Sequence, residues 1–208
     1  MFFKIILQHR VVNVNRIYAF LKKVIDTLFL TCYNACIIME SMEQKMKIRN
    51  ANYEDLEKIF EIYNRARSFM REHGNPTQWG DSYPSKELVI SDLEQGCLKV
   101  IVDERDAIAG VFSCFIDGDR DYDVIKDGAW LNDEPYTAIH RIASAGTHKG
   151  IFTYILEYCL TFSTNIKVDT HLQNSVMQSV LQKHGFKKCG VITADGLDFI
   201  AFQFAKLD

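Results

Sequence analysis

The period of the apolar positions changes repeatedly along this chain, and each change marks a predicted element. Residues 47–50 (KIRN) read as a short edge strand. Asn52 and Asp55 follow at the spacing of a capping box, in which the Asn side chain accepts from a first-turn amide and the acid reaches back. Leu56, Ile59, Phe60, Tyr63, Ala66 and Met70 then recur at helical spacing, predicting a helix to about Glu72. Residues 74–83 (GNPTQWGDSY) break it with two glycines and an Asn-Pro step. Ser85 is the N-cap candidate of a second helix that runs through Leu88, Val89 and Leu93 to about Gln95, with Glu87 suited to the positive end of its dipole. Residues 97–102 and 107–116 read as two strands turned at Glu104-Arg105-Asp106, an antiparallel hairpin.

The second half is denser in signals. Residues 138–144 (AIHRIAS) form an apolar-rich strand, and residues 145–150 (AGTHKG) a loop with two glycines. Phe152, Ile155, Leu156, Cys159 and Phe162 share one face of a helix over 151–162. A strand at 166–170 leads to a helix over 174–184, with Val176, Met177, Val180 and Leu181 inward and Gly185 as its stop. Residues 188–193 and 199–204 close the chain as a hairpin through Ala194-Asp195-Gly196. The order β-α-α-β-β-β-α-β-α-β-β predicts an α/β (α+β) fold, a mixed sheet with helices on both faces. A loop that ends a buried strand and opens a helix, as 145–150 does, leaves free amides pointing one way, a ready site for phosphate.

Two of these pieces resemble the GNAT N-acetyltransferase superfamily. The strand–loop–helix IHRIASAGTHKGIF is similar to the family's acetyl-CoA loop, and DTHLQNSVMQSVLQKHGFKKCG to its last strand–helix–strand, with the Lys-x-Gly-Phe ending at Lys183 to Phe186. The likeness in element order spans residues 46–208. It implies a mostly antiparallel central sheet and an enzyme that transfers acetyl from acetyl-CoA directly to a primary amine of a small or amino-acid-like acceptor. Such transfer asks the protein to hold donor and acceptor together, remove a proton and stabilise an oxyanion. By the resemblance, Ile142 and Ser144 hold the pantetheine arm through their main chain, and Asn174 also contacts it. Thr147, His148, Lys149, Gly150, Ile151 and Phe152 surround the pyrophosphate, and the strand from Lys167 to His171 splays away to open the cleft. Aligned on Gly150, only that glycine matches the family's loop pattern. Phe152, standing where a small residue is usual, is an expected obstacle to the phosphates. Leu181 stands where many members carry a Tyr. These two departures keep open a second reading, a non-catalytic acyl-CoA-sensing or interaction module.

The general base stays open among His140, whose ordinary pKa suits proton transfer, Glu134, placed just before the same strand, and Asp169 or His171 on the next. Trp79 and Tyr83 are either core cover or the wall of an acceptor pocket. The segment 117–134 carries seven acids; it reads as a solvated loop, plain or beside the entrance for a cationic substrate, and lacks the spacing of a calcium loop.

Composition narrows the rest. A net charge of −3 argues against a nucleic-acid binder. The six cysteines show no CxxC, no His positions complete a zinc spacing, and no metal is expected. They read as reduced core residues of a cytoplasmic protein, with Cys159 in the helix core rather than a nucleophile. Residues 1–45 differ from the remainder in carrying more basic than acidic residues. Their uncharged run, residues 27–39, is too short to span a membrane, which takes ~20 apolar residues. This extension has three readings: a segment outside the working domain, with Met42 or Met46 as the start; a helix packed on the domain or a partner; and a basic amphipathic helix on a membrane surface. The family resemblance allows a homodimer.

Overall fold

Arg49 and Asn52 set the first turn of the fold. The Asn52 side chain accepts from the amides of Glu54 and Asp55, and the Asp55 carboxylate accepts from the Asn52 amide at 2.8 Å, so the predicted box forms. Arg49 donates two hydrogen bonds to the same carboxylate, at 2.7 and 3.0 Å, tying the strand before the cap to the helix after it. The computed structural model describes Lys22 and residues 46–206; the readings of the 1–45 extension lie outside the described residues.

The strands are β1 (Lys47–Asn50), β2 (Leu98–Val102), β3 (Ile108–Phe115), β4 (Thr137–Ser144), β5 (Asn165–His171), β6 (Lys187–Ala194) and β7 (Leu197–Ala205). Among residues 46–206 the helices α1 (Leu56–Glu72), α2 (Lys86–Glu94), α3 (Ile151–Leu160) and α4 (Ser175–Lys183) connect them in the predicted order. The seven strands form one sheet, β1-β2-β3-β4-β5-β7-β6, and every neighbouring pair is antiparallel except β4 and β5.

Alternation along the strands gives each face its own core. On one face α3 buries Ile151, Phe152, Ile155, Leu156 and Cys159 against Ile101, Phe112, Ile139, Ile166 and Val168, together with Leu181 and Phe186. On the other, Ile59, Ile62 and Tyr63 of α1 and Val89 of α2 pack on Val100, Val111 and Ala143. Each aliphatic side chain buried this way contributes about 1.5–3 kcal/mol relative to exposure. A third cluster on that second face joins Tyr122, Ala138, Ile192 and Ala201, with Trp130 and Tyr136 against it.

Three expectations change. Phe162 falls past the end of α3 and is 42% exposed rather than on its inward face. Val176 is 41% exposed rather than inward. It lies about 140° around α4 from Leu181, the one fully buried residue of that helix, at ~100° per residue. The acidic segment 117–134 is not a plain solvated loop. Tyr122 is 1% exposed, Trp130 donates its indole N–H to the Tyr122 carbonyl at 3.0 Å, and Lys126 exchanges backbone hydrogen bonds with Val191 on β6. Burial of its aromatic residues outweighs the solvation of its acids, because the carboxylates point outward or find partners while the rings cover the sheet.

Candidate active site

β4 and β5 are hydrogen-bonded only at Thr137–Ile166 and Ala138–Lys167. Beyond those two pairs the strands part, and the β5-facing edge of residues 139–144 has no strand partner. A cleft of about 380 Å³ occupies the gap. Its lining comes from both faces of the sheet: Ile139, Ile142, Val168, Thr170, Asn174 and Met177 on the α3–α4 side, and Trp79, Tyr83, Tyr122, His140, Arg141 and Asp169 on the other.

A β-bulge shapes the floor. Val111 pairs with Ala143 and Ser113 with His140, so Phe112 opposes both Arg141 and Ile142. Arg141 takes the extra step at φ 53°, a conformation that costs a non-glycine residue roughly 1–2 kcal/mol. It is held there by Asp92 of α2. The Arg141 guanidinium donates to both Asp92 oxygens, at 2.7 and 3.0 Å, and Asp92 is 2% exposed. Ser113 joins the same carboxylate. The bulge explains how two consecutive residues, His140 and Arg141, line the cavity from the same side, between Ile139 and Ile142 on the other.

His140 sits between two carboxylates. Its Nε2 lies 3.1 Å from Asp119 and its Nδ1 3.4 Å from Asp169. Neither approach has the alignment of a hydrogen bond, and Nε2 is buried with no hydrogen-bond partner among the described residues. The ring stands edge-on to Phe115 and tilted against Tyr122, with centroids at 5.5 and 5.4 Å. The neighbouring His140 ring, outweighing burial, holds the Asp119 carboxyl below the usual carboxylate range. Tyr122 donates its hydroxyl to Asp169 at 2.7 Å, and burial followed by that carboxylate pushes its phenol well above the ordinary value.

At the far end of β4 the loop 145–150 turns into α3. Gly150, at φ 72°, precedes the helix, and no side chain caps its first-turn amides. The Ser144 hydroxyl accepts from Gly146, and Thr147 and His148 bond to each other at 2.9 Å. Lys149 is exposed. The guanidinium of Arg65, on α1, lies so close over Gly146 that an added Cβ would strike it. Phe152 does not face the loop: it is 6% exposed, edge-on to Phe186 and His184 in the core. The expected obstacle is therefore turned away from the helix N-terminus. Ile151 is likewise core, against the Cα of Gly110.

The sequence-derived candidates separate by position. His140, Ile142, Asn174, Trp79 and Tyr83 meet in the cleft; Ser144, at the end of β4, and residues 147–150, in the loop that follows, lie outside its lining. Trp79, 7% exposed, serves both of its alternatives, packing in the core and walling the cleft. Asn174 accepts from the Met177 amide and donates to Gln78, so its side chain caps α4 and ties the 74–83 loop across the cleft. Glu134 lies away from this group. It precedes β4 at the closed end of the strand gap, its side chain is exposed, and its carbonyl accepts from Asn165. His171 ends β5 with its ring edge-on to Phe199, outside the cleft lining. Leu181 is fully buried and brings no hydroxyl. Asp119, Tyr122, Asp92 and Arg141 were not singled out from the sequence. Only the first two left a trace, as an acid and an aromatic in a segment whose rings would be costly to leave in water.

Comparison with known proteins places this geometry. No protein-family model matches the sequence, and no curated protein sequence matches it. Solved structures do. A GNAT-family acetyltransferase from Streptococcus agalactiae superposes with a TM-score of 0.70 at 28% identity, covering 78% of this chain and 96% of that one. A GNAT-family acetyltransferase from Listeria monocytogenes gives 0.60 at 19%, covering 79% and 97%. A phosphinothricin acetyltransferase of the GNAT superfamily from Sinorhizobium meliloti, in complex with acetyl-CoA, gives 0.52 at 17%, covering 77% and 88%.

Proposed function

The chain belongs to the GNAT superfamily of acetyltransferases, and on that premise we propose that it transfers an acetyl group from acetyl-CoA directly to the primary amine of a small acceptor. The observation that carries this reading is the parting of β4 from β5 after two residue pairs, which opens an unpaired strand edge into a cleft holding His140. Pantetheine is a chain of amides, and a free strand edge offers it the main-chain groups of Ile142 and Ser144. The pyrophosphate then falls at the uncapped amides of α3 beside residues 147–150, where Arg65 and Lys149 supply positive charge. The inward turn of Phe152 supports this fit.

His140 is the general base of this proposal. Its buried, unpartnered Nε2 accepts the proton of the acceptor's ammonium. The neutral amine attacks the thioester carbonyl, the new C–N bond forms, the C–S bond breaks, and the CoA thiolate that leaves takes up the second proton shed by the acylated nitrogen. Asp119 and Asp169 flank the imidazole and stabilise the imidazolium formed during transfer. Trp79 and Tyr83 wall the acceptor's side.

Thermal unfolding of the full chain with acetyl-CoA or CoA tests the donor. A ligand that binds only the folded state at a hundredfold excess over its Kd adds ~2.7 kcal/mol of stability. A raised melting point followed by amine-dependent release of CoA thiol supports the reading; no shift at millimolar acetyl-CoA overturns it.

A further inference from the structure

The charges lining the cleft go beyond what amine acetylation needs. Four carboxylates line it: Asp119 and Asp169 beside His140, and Asp121 and Asp195 towards solvent. Among the described residues the one Lys or Arg side chain in the lining is Arg141, and its fork is already held by Asp92, which is outside the lining. The cavity thus presents four negative groups with no free permanent cation to offset them. They stand at two depths. Asp119 and Asp169 are sheltered, their side chains 25% and 15% exposed, whereas Asp121 and Asp195 are exposed on the Arg120–Tyr122 turn and the β6–β7 turn. The same lining carries the apolar surfaces of Trp79, Tyr122, Leu197 and Phe199.

A separate sign that this cavity holds a polar ligand comes from Thr170. It is 1% exposed and lines the same cleft, and its hydroxyl has no hydrogen-bond partner among the described residues. Burial of an unpaired hydroxyl is costly unless something else supplies the partner.

We infer that the acceptor is a small dication, a diamine or amino-sugar-like molecule with two ammonium groups on an apolar spacer and no carboxylate. The inference rests on the acetyl-transfer reading for the role of the inner pair. One ammonium sits on the cleft side of the Asp119–His140–Asp169 group and gives its proton to His140. The second stays charged at Asp121 and Asp195. The same field excludes the carboxylate of a free amino acid, because an anion there meets like charge at both depths and no unengaged guanidinium. Desolvation, and after it repulsion from Asp119 and Asp195, keeps the Asp121 carboxyl above its usual range, a state that a bound cation relieves.

The test is calorimetric binding of 1,4-diaminobutane, butylamine and leucine to the full chain, with and without CoA, followed by CoA-release kinetics on the same three. The expected result is at least tenfold tighter binding and higher kcat/KM for the diamine than for butylamine, with leucine weakest. The diamine's advantage should shrink as salt rises, and shrink again in Asp121→Asn combined with Asp195→Asn. Equal affinity for diamine and monoamine, or preference for leucine, overturns the inference. So does an unchanged diamine-to-monoamine ratio in the double variant. If CoA fails to bind while the diamine still does, the transferase reading falls and the dication site stands. If CoA binds and the diamine does not, the reverse holds.

Discussion

Arg141 on β4 and Asp92 on α2 are joined by two hydrogen bonds across the buried side of the sheet, and that fork holds Arg141 in a left-handed conformation. The pair is structural in chemistry and functional in consequence, since the bulge it fixes sets His140 and Arg141 on one side of the cleft and turns Ile142 to the other. Removing the acid leaves a guanidinium, 9% exposed, without its counter-charge. Asp92→Ala should therefore cost about 3–5 kcal/mol in urea unfolding, and Asp92→Asn, which keeps a hydrogen-bond acceptor, distinctly less.

His140 should separate catalysis from folding. Its ring nitrogens face two carboxylates without aligned hydrogen bonds, so His140→Gln should lower the melting point only by the modest contribution of the Asp119 contact. It should lower kcat by ~10²–10⁴, the range of a lost general base. Steady-state kinetics beside a thermal melt check both. A drop in rate of less than tenfold would move the base to another group.

Asp119 predicts the acid side of the stability curve. Its carboxyl titrates below the ordinary value because of the His140 ring. The unfolded chain therefore binds the proton more readily, and stability rises with pH through this window. The contribution is complete above the unfolded value of ~3.9 and disappears as pH falls through the lower folded value. Asp55, held low by Arg49 against burial, acts in the same direction. Urea midpoints measured from pH 3 to 7 should fall below about pH 4, and fall less steeply in Asp119→Asn.

Gly150 tests the donor loop. Its φ of 72° strains any residue with a Cβ, although the space around it is open, with only the Thr153 hydroxyl at 3.9 Å. Gly150→Ala should cost roughly 1 kcal/mol in stability. It should raise the KM for acetyl-CoA severalfold by shifting the amides at the start of α3. Arg65→Ala should raise the same KM without the loss of stability, since among the described residues Arg65 forms no ion pair.

Cys159 should be dispensable. It is fully buried, absent from the cleft lining, and its thiol is pushed well up by Cys114 and by burial. Cys159→Ala should retain at least half of wild-type activity, and mass spectrometry during turnover should find no acetylated cysteine.

Elements with a strong period or cap were legible in the sequence: the Asn52 box, the α1 face and both hairpins. So was the parting of the strands, through the likeness of the β4 loop and the Gly185-Phe186 ending. Residues acting across long separations were not. Nothing in the sequence near Arg141 announces a left-handed residue, and Asp92, 49 positions earlier, reads as an ordinary helix acid. Asp119 was visible only as one acid among seven, because acid count hides the aromatics that fold the segment down. Glu134 was drawn to the site by its place before β4, yet the strand start is where the sheet remains closed.

The two hydrogen-bonded pairs that join β4 to β5 also divide the molecule mechanically. One half-sheet is β1 to β4, the other β5, β7 and β6, and between them the ladder is short while the hydrophobic contact through α3 is broad. Ladder bonds are directional and fix register; side-chain packing is not, and it tolerates small rotations. The stiffness of the gap between the halves is therefore set in part by the fit of Ile155 and Leu156, core residues of α3. Changes of volume at those core positions would adjust the width of the cleft as a wedge adjusts a hinge, which gives this fold a route to new acceptors that leaves every polar group in place.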